Sequence, residues 1–456
     1  MMGRRLEGTA PLPSSIEPMV GQLRARVWLL LHDRRRGRLY SIAAVAIFGA
    51  VFGGAIVAGA LGSNPQFGVD SGAYWVAAGK LAGGGSPYNA AMLAGPYPAQ
   101  VAGAYRYLPI FAQVLIPLSW LPLWAAKLVW LGIQIAALAA GLWFAAVAGG
   151  GVGRLDRAIS IGLAFTVFTP TFACLLQGNV EGPLALLVTL ALVRGEAAGG
   201  VAVGLGTLLK LMPGVALPAL AVRGPRGAIS FLVACAVPTA VSIALAPAAW
   251  RDMVVAIPNM YAGSAAYANN LAPAGALAAQ PDLAFLAWLE GPLRLLFLGA
   301  AAALGLASIW LARRPGGWPA ALLGATLAGI LAPAAIWYHY SVVLLPFAFF
   351  AWPAASERQR WGLLAGLGGF ALAVGWPLIF TVPAFALFTV SGLAALWPTR
   401  TSDRLDLVDR ARIGPIGWPV SAARAPNALG DPEADGGAAA QVGAAEMTLE
   451  GGVEVQ

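Results

Sequence analysis

Apolar runs of eighteen or more residues recur between positions 40 and 397, and they decide what this chain can fold into. About 20 apolar residues rising 1.5 Å each cross a hydrocarbon core about 30 Å thick, so such runs read as membrane helices. Nothing alternates with the period of two that a membrane β-barrel needs. Of the 456 residues, 59% are hydrophobic and 11% charged, with mean hydropathy +0.74. A soluble domain carries about 25% charged residues. The sequence therefore predicts an all-α integral membrane protein, a polytopic helical bundle of about twelve spans.

The net charge of +8 would suit nucleic acid, but the basic residues sit in short loops and near the ends. There they mark topology and contact with anionic lipid, so membrane lipids are expected partners and nucleic acid is not. The two cysteines, Cys174 and Cys235, lie inside apolar runs and read as packing residues, which excludes a disulfide framework. With only two histidines, His32 and His339, a multi-histidine metal site is excluded as well.

Arginines crowd "RVWLLLHDRRRGRLY" (26–40), directly before the first run. The positive-inside rule then makes residues 1–39 a cytoplasmic segment. The first run is too long and too late for a cleavable leader and should act as a signal anchor. Residues 40–397 form the expected membrane domain, with outer loops at about 62–106 and 248–283. Residues 398–456, rich in Ala, Gly, Pro and charge, read as a disordered cytoplasmic tail.

Thirteen runs are legible: 40–61, 107–121, 124–148, 158–176, 180–193, 199–209, 211–222, 228–246, 289–311, 318–336, 341–354, 361–376 and 377–397. Two cytoplasmic termini need an even number of crossings. Arg154, Arg157, Arg194, Arg223, Arg226, Arg313, Arg314, Arg358 and Arg360 all become cytoplasmic if 107–148 crosses once, with a re-entrant piece around "PLSWLPL" (117–123). The rival arrangement makes 199–222 one long helix. Several runs are too short to span, and such segments are tolerated only where buried in protein or lining a watery cavity. A polar cavity open to the outside follows.

Ionisable residues near or within spans are costly, and each has a structural and a functional reading. Asp70, in "FGVDSGAYWVAAGKLAGGGSPYNAA" (67–91), is either an N-cap or a general base at the water–lipid boundary. The helix it opens, 70–82, would lie at the interface with Tyr74 and Trp75 at headgroup level. Arg106 in "AYRYLPIFAQVLIPL" (104–118) is an interfacial anchor or a planar fork for a phosphate. Lys210 in "LLKLMPG" either snorkels to an interface or lines the cavity. "LLQGNVEGP" (175–183) places Gln177, Asn179 and Glu181 in what reads as a polar loop. Asn269 and Asn270 suit sugar hydroxyls, or are ordinary loop amides. His339 in "WYHY" is a belt histidine, or a donor to an anionic oxygen.

The order of these pieces resembles glycosyltransferase family 87, membrane enzymes of the GT-C superfamily that use polyprenyl-phosphate sugars. The resemblance runs through Asp70, Tyr74, Ala77, Ala78 and "GSPY" (85–88), then "YRYLP" (105–109), "PLSWLP" and the "GNVE" turn (178–181). It continues through "GVAVGLGTLLKLMP" (200–213), the Asn-rich loop and "WYH" (337–339). The turn departs from the family's Gly-Gln-Val-Asn, and Tyr340 stands where the family has a second histidine.

The resemblance implies inverting transfer of a hexose, mannose in the first instance, from a polyprenyl-phosphate sugar to a hydroxyl of a lipid or glycan. Asp70 would be the catalytic base. Arg106, Lys210 and His339 would bind the donor phosphate. Tyr74, Tyr107, Asn179, Asn269 and Asn270 would bind sugar or acceptor. No metal or other cofactor is implied, and the setting would be the outer face of the plasma membrane. A transporter or flippase of lipid-linked sugars is the rival reading. It predicts matching halves with charges near the midplane, which the sequence does not display. A scaffold subunit of an envelope-building complex is a third.

Overall fold

A computed structural model describes residues 34–95, 104–264, 270–278, 281–373 and 375–397. Segment 1–33, the tail 398–456 and Asn269 lie outside the described residues. Within them the chain is helical, and its one β-contact is an isolated antiparallel bridge between Asn270 and Trp337.

The longer helices are α1 Arg34–Ala60, α2 Val69–Ala82, α3 Leu123–Gly149, α4 Arg154–Thr166, α5 Thr169–Gln177, α6 Glu181–Val193 and α7 Glu196–Leu209. They continue as α8 Pro225–Leu245, α9 Pro247–Ser264, α10 Glu290–Ala312, α11 Trp318–Leu331, α12 Glu357–Ala373 and α13 Pro377–Leu396. Five stretches are each long and apolar enough to cross a membrane: Gly37–Ala60, Leu123–Gly149, Pro225–Leu245, Ala284–Ala312 and Ile379–Leu396. A sixth arises if α4 and α5, bent by 66°, count as one. The bend follows from Pro170, whose ring excludes a continuous helix. Five more apolar segments are shorter: α6, α7, Met212–Arg223, α11 and Tyr338–Ala351. The structure thus supports a multi-span membrane bundle without twelve individually full-length helices.

Two local expectations are met and one changes. The run 107–121 is not a span of its own, as a single crossing by 107–148 requires; it folds into two short turns, Pro109–Val114 and Ile116–Ser119, broken at Leu115 ahead of Pro117. The rival arrangement fails: residues 199–222 are not one helix, because the chain is extended at Lys210 (φ −156°, ψ 124°) and doubles back, bringing Pro213 beside Gly206. The outer segment 248–283 is largely helical: α9 buries Ala256 and Met260 in the same apolar cluster as Tyr74.

The short helix α11 sits inside and several long helices outside. Every residue of α11 except Pro319 is buried. By contrast α1, α8 and α10 leave Val51, Val57, Val233, Val237, Leu295 and Leu306 exposed, as lipid-facing surfaces do. Glycines allow the inner helices to approach. A Cβ on Gly182 of α6 would sit 2.7 Å from the carbonyl oxygen of Gln134 in α3. Gly204 of α7 likewise faces Phe231 and Ala234 of α8, the close small-residue contact common between membrane helices.

The contacts define two ends. At one, Arg38 of α1 makes a bidentate pair with Asp156 of α4 (2.6 and 2.9 Å), Trp318 donates to the Ala191 carbonyl (2.7 Å), and Arg223 lies over Trp318 (4.4 Å). At the other, the Gly68 N–H donates to the Leu176 carbonyl (2.7 Å), and Arg294 donates to the carbonyls of Ala332 and Pro333 beyond α11 (2.7 and 2.8 Å). Asp70, Asn179, Lys210 and His339 belong to this second end.

Gly182→Ala should destabilise the protein by about 1–3 kcal/mol, since backbone rather than a flexible side chain must yield. Gly132→Ala, on the same helix pair but facing open space, should change stability by less than about 0.5 kcal/mol. Thermal melts in nanodiscs read the difference.

Candidate active site

The second end holds a cavity of about 530 Å³. Asp70, Tyr74, Arg106, Tyr107, Asn179, Lys210 and His339 all line it. Their segments are far apart in sequence, and local rules explain how each is placed.

Helix α2 begins at Gly68, whose left-handed φ of 62° suits glycine and lets the backbone press against the Lys127 side chain. Asp70 falls in the first turn rather than at the cap, and no side chain caps this helix. The capping reading is therefore replaced: the Asp70 carboxylate accepts a hydrogen bond from Asn179 Nδ2 at 2.8 Å. The helix N-terminus favours a negative charge at that position. Tyr74 does not present its ring to the surroundings either. It is 1% exposed, packed edge-on against Tyr107, Phe111 and Trp130, with its hydroxyl donating to the Tyr107 hydroxyl at 2.9 Å. Trp75 is half-buried and donates to the Leu121 carbonyl.

Asn179 is the hub. Gly178 ends α5 at φ 81°, close against Ser71, and turns the next residue inward. The Asn179 Oδ1 accepts from the Val180 N–H (2.7 Å) and the Tyr107 hydroxyl (3.3 Å). Its Nδ2 serves Asp70 and lies 2.9 Å from His339 Nε2. Because those partners fix the amide, Nε2 is the accepting nitrogen of His339, and the ring proton sits on Nδ1. Nδ1 is buried with no hydrogen-bond partner among the described residues.

Glu181 opens α6 and is wholly buried. Its carboxylate forms an ion pair with Lys210, and Oε1 lies 3.6 Å from His339 Nε2. Lys210 does not snorkel: its side chain is 14% exposed, paired, and set with Nζ 3.7 Å from the centre of the Tyr340 ring. The Arg106 guanidinium lies over Trp337, 5.5 Å from the ring centre.

Asn270 stands apart from the cavity. Its Nδ2 donates to the Ala334 carbonyl (3.0 Å), and its Oδ1 accepts from the N–H groups of Ala272 (2.9 Å) and Ile336 (2.6 Å). That pins the strand-like approach to Trp337 and His339, so the amide is committed to backbone instead of a sugar. Sequence reading passed over Glu181 as part of a polar loop. An acid at the head of an apolar run was the available signal. Among the described residues no group of three or more His, Cys, Asp or Glu side chains could hold a metal ion.

Asp70 lies outside the spanning helices. Burial raises its carboxyl to about 6, and the Glu181 charge adds to that. Arg106, the Asn179 hydrogen bond and Lys210 oppose it. A carboxyl so placed takes and returns protons near neutral pH, while the cationic groups offer contacts to an anion.

The sequence pattern of glycosyltransferase family 87 matches residues 105–335. This chain belongs to glycosyltransferase family 87. No curated protein and no solved structure matches it. Membership makes it a membrane glycosyltransferase, with a sugar donor and an acceptor as partners.

Asn179→Ala removes a donor to the Asp70 carboxylate, so the protonated form gains and the Asp70 pKa should rise above about 6. The carboxyl C=O band in infrared difference spectra, assigned with Asp70→Asn, should then persist to higher pH than in the wild type.

Proposed function

We propose that this chain transfers a hexose, mannose being the sugar its family resemblance favours, from a polyprenyl-phosphate donor to a hydroxyl of a lipid or glycan acceptor. The observation that supports it best is a single cavity wall on which the Asp70 carboxylate faces the same space as Arg106 and Lys210.

In the reaction the acceptor oxygen attacks the anomeric carbon from the face opposite the phosphate. The bond between that carbon and the phosphate oxygen breaks, its electron pair leaves with the phosphate, and configuration inverts. The acceptor's proton passes to Asp70, a base whose raised affinity for protons suits the task. Negative charge grows on the departing phosphate, and preorganised cations nearby stabilise it. Arg106 and Lys210 are the charged groups for that role, and His339 lines the same cavity as a further phosphate contact. Tyr74, Tyr107 and Asn179 offer hydroxyl and amide contacts to sugar or acceptor. Asn269 keeps the same assignment on sequence alone.

We place the cavity at the outer face of the plasma membrane and both termini in the cytoplasm, because the arginine-rich end lies opposite the site. The rods then alternate as twelve passes, counting the bent α4–α5 pair and the short helices. Residues 107–148 cross once, which suits the short turns before α3. Residues 1–39, 40–397 and 398–456 keep their roles as basic segment, catalytic membrane domain and tail. The polar cavity lies at the end of the bundle opposite the arginine-rich one, which favours an enzyme over a transporter.

Asp70→Asn, matched for expression, should lose 10²–10⁴-fold in transfer of labelled mannose from polyprenyl-phosphate mannose. Transfer equal to wild type would remove Asp70 from the chemistry. Label recovered unchanged on the far side of the membrane would favour the flippase.

A further inference from the structure

Glu181 does not reach the cavity, but it controls a group that does. Its carboxylate is wholly buried at the head of α6, where the helix N-terminus favours negative charge. Oε1 accepts from Lys210, and Oε2 lies 3.8 Å from Cys174 Sγ. The Lys210 ammonium is wedged between this carboxylate and the face of Tyr340, and lines the cavity from there. Lys210 therefore already has an anionic partner before any phosphate arrives.

We infer that Glu181 is a positioning residue that competes with the donor's phosphate for the Lys210 ammonium, and so weakens the site's hold on the phosphate that leaves. The inference rests on the polyprenyl-phosphate reading above. The donor headgroup is a phosphodiester with one negative charge. The product, after the carbon–oxygen bond breaks, is a monoester carrying about −1.5 to −2 charges at neutral pH. Like charges repel strongly in a site of low dielectric, and the repulsion grows with the charge of the ligand. A carboxylate one ammonium away therefore disfavours the product more than the donor. Lys210 is shared: it holds the donor and steadies the leaving oxygen, and Glu181 reclaims it as the product departs. Turnover needs a site that releases the more highly charged species, and a lysine without a counter-ion would retain it.

The test titrates the full-length protein in nanodiscs with a ten-carbon prenyl monophosphate and, as control, the matching uncharged prenyl alcohol. Glu181→Gln should bind the monophosphate about tenfold tighter than wild type and the alcohol equally. Glu181→Asn, a second neutral variant, should show the same tightening, and Glu181→Asp should stay within about threefold of wild type. In the transfer assay, kcat and the donor KM should fall together in Glu181→Gln while inhibition by polyprenyl phosphate strengthens. A purely structural role would raise KM and leave product inhibition unchanged. If wild type binds the monophosphate better than the alcohol and the neutral variants bind it no tighter, the inference is overturned and the donor reading stands. If wild type does not distinguish monophosphate from alcohol, the donor reading fails and takes the inference with it.

Discussion

A 13-residue helix rises only about 20 Å, and the hydrocarbon core is about 30 Å thick. That mismatch governs this molecule. Helices α6, α7 and α11 and the segment Tyr338–Ala351 are too short to span alone. Hydrocarbon would leave their terminal N–H and C=O groups unsatisfied, so their ends must be packed against protein. The burial of α11 and the exposure of α1, α8 and α10 display the contrast between packed and exposed helices. Where the short helices stop, a polar space remains, and their ends carry its chemistry. Glu181 heads α6, Lys210 follows α7, and His339 opens the segment that leads to Ala351.

The site is held together from its centre. One amide, Asn179, links the Asp70 carboxylate, the Tyr107 hydroxyl and the His339 ring. Beside it, Glu181 pairs with Lys210. Buried polar groups need partners, and a connected chain of them fixes each member's position. Around this chain, Tyr74, Tyr107, Phe111 and Trp130 form an edge-on aromatic wall that anchors α2 to the bundle. Asn270 fastens the approach to Trp337 from outside the cavity. The result is a carboxyl and two cations on one preorganised surface, the set that the proposed transfer from an anionic leaving group would use.

Much of this was legible in the sequence, and the misses share a cause. Asp70, Arg106, Lys210 and His339 stood out because ionisable groups are rare in or beside apolar runs. The likeness to family 87, carried by the order of weak motifs, agrees with the match over 105–335. What one-dimensional pattern could not supply is pairing. Asp70 meets Asn179 across 109 positions, and Asn179 meets His339 across 160. Without those partners Asp70 resembled a cap, Glu181 a loop residue and Asn270 a sugar ligand. Apolar length likewise marks where helices lie, but hydropathy does not reveal which are wrapped by others. Hence thirteen runs were visible while, among the described residues, five helices have spanning length, or six with the bent α4–α5 pair.

The most direct measurement is the pH dependence of kcat/KM for transfer from polyprenyl-phosphate mannose, using an acceptor without titratable groups. Asp70 must be unprotonated to accept the proton, and its carboxyl is raised to about 6. The account predicts a rate that is level above that value and falls tenfold per pH unit below it. A rate that stays level down to pH about 5, a full unit below the Asp70 value, would contradict a catalytic base with so raised a carboxyl.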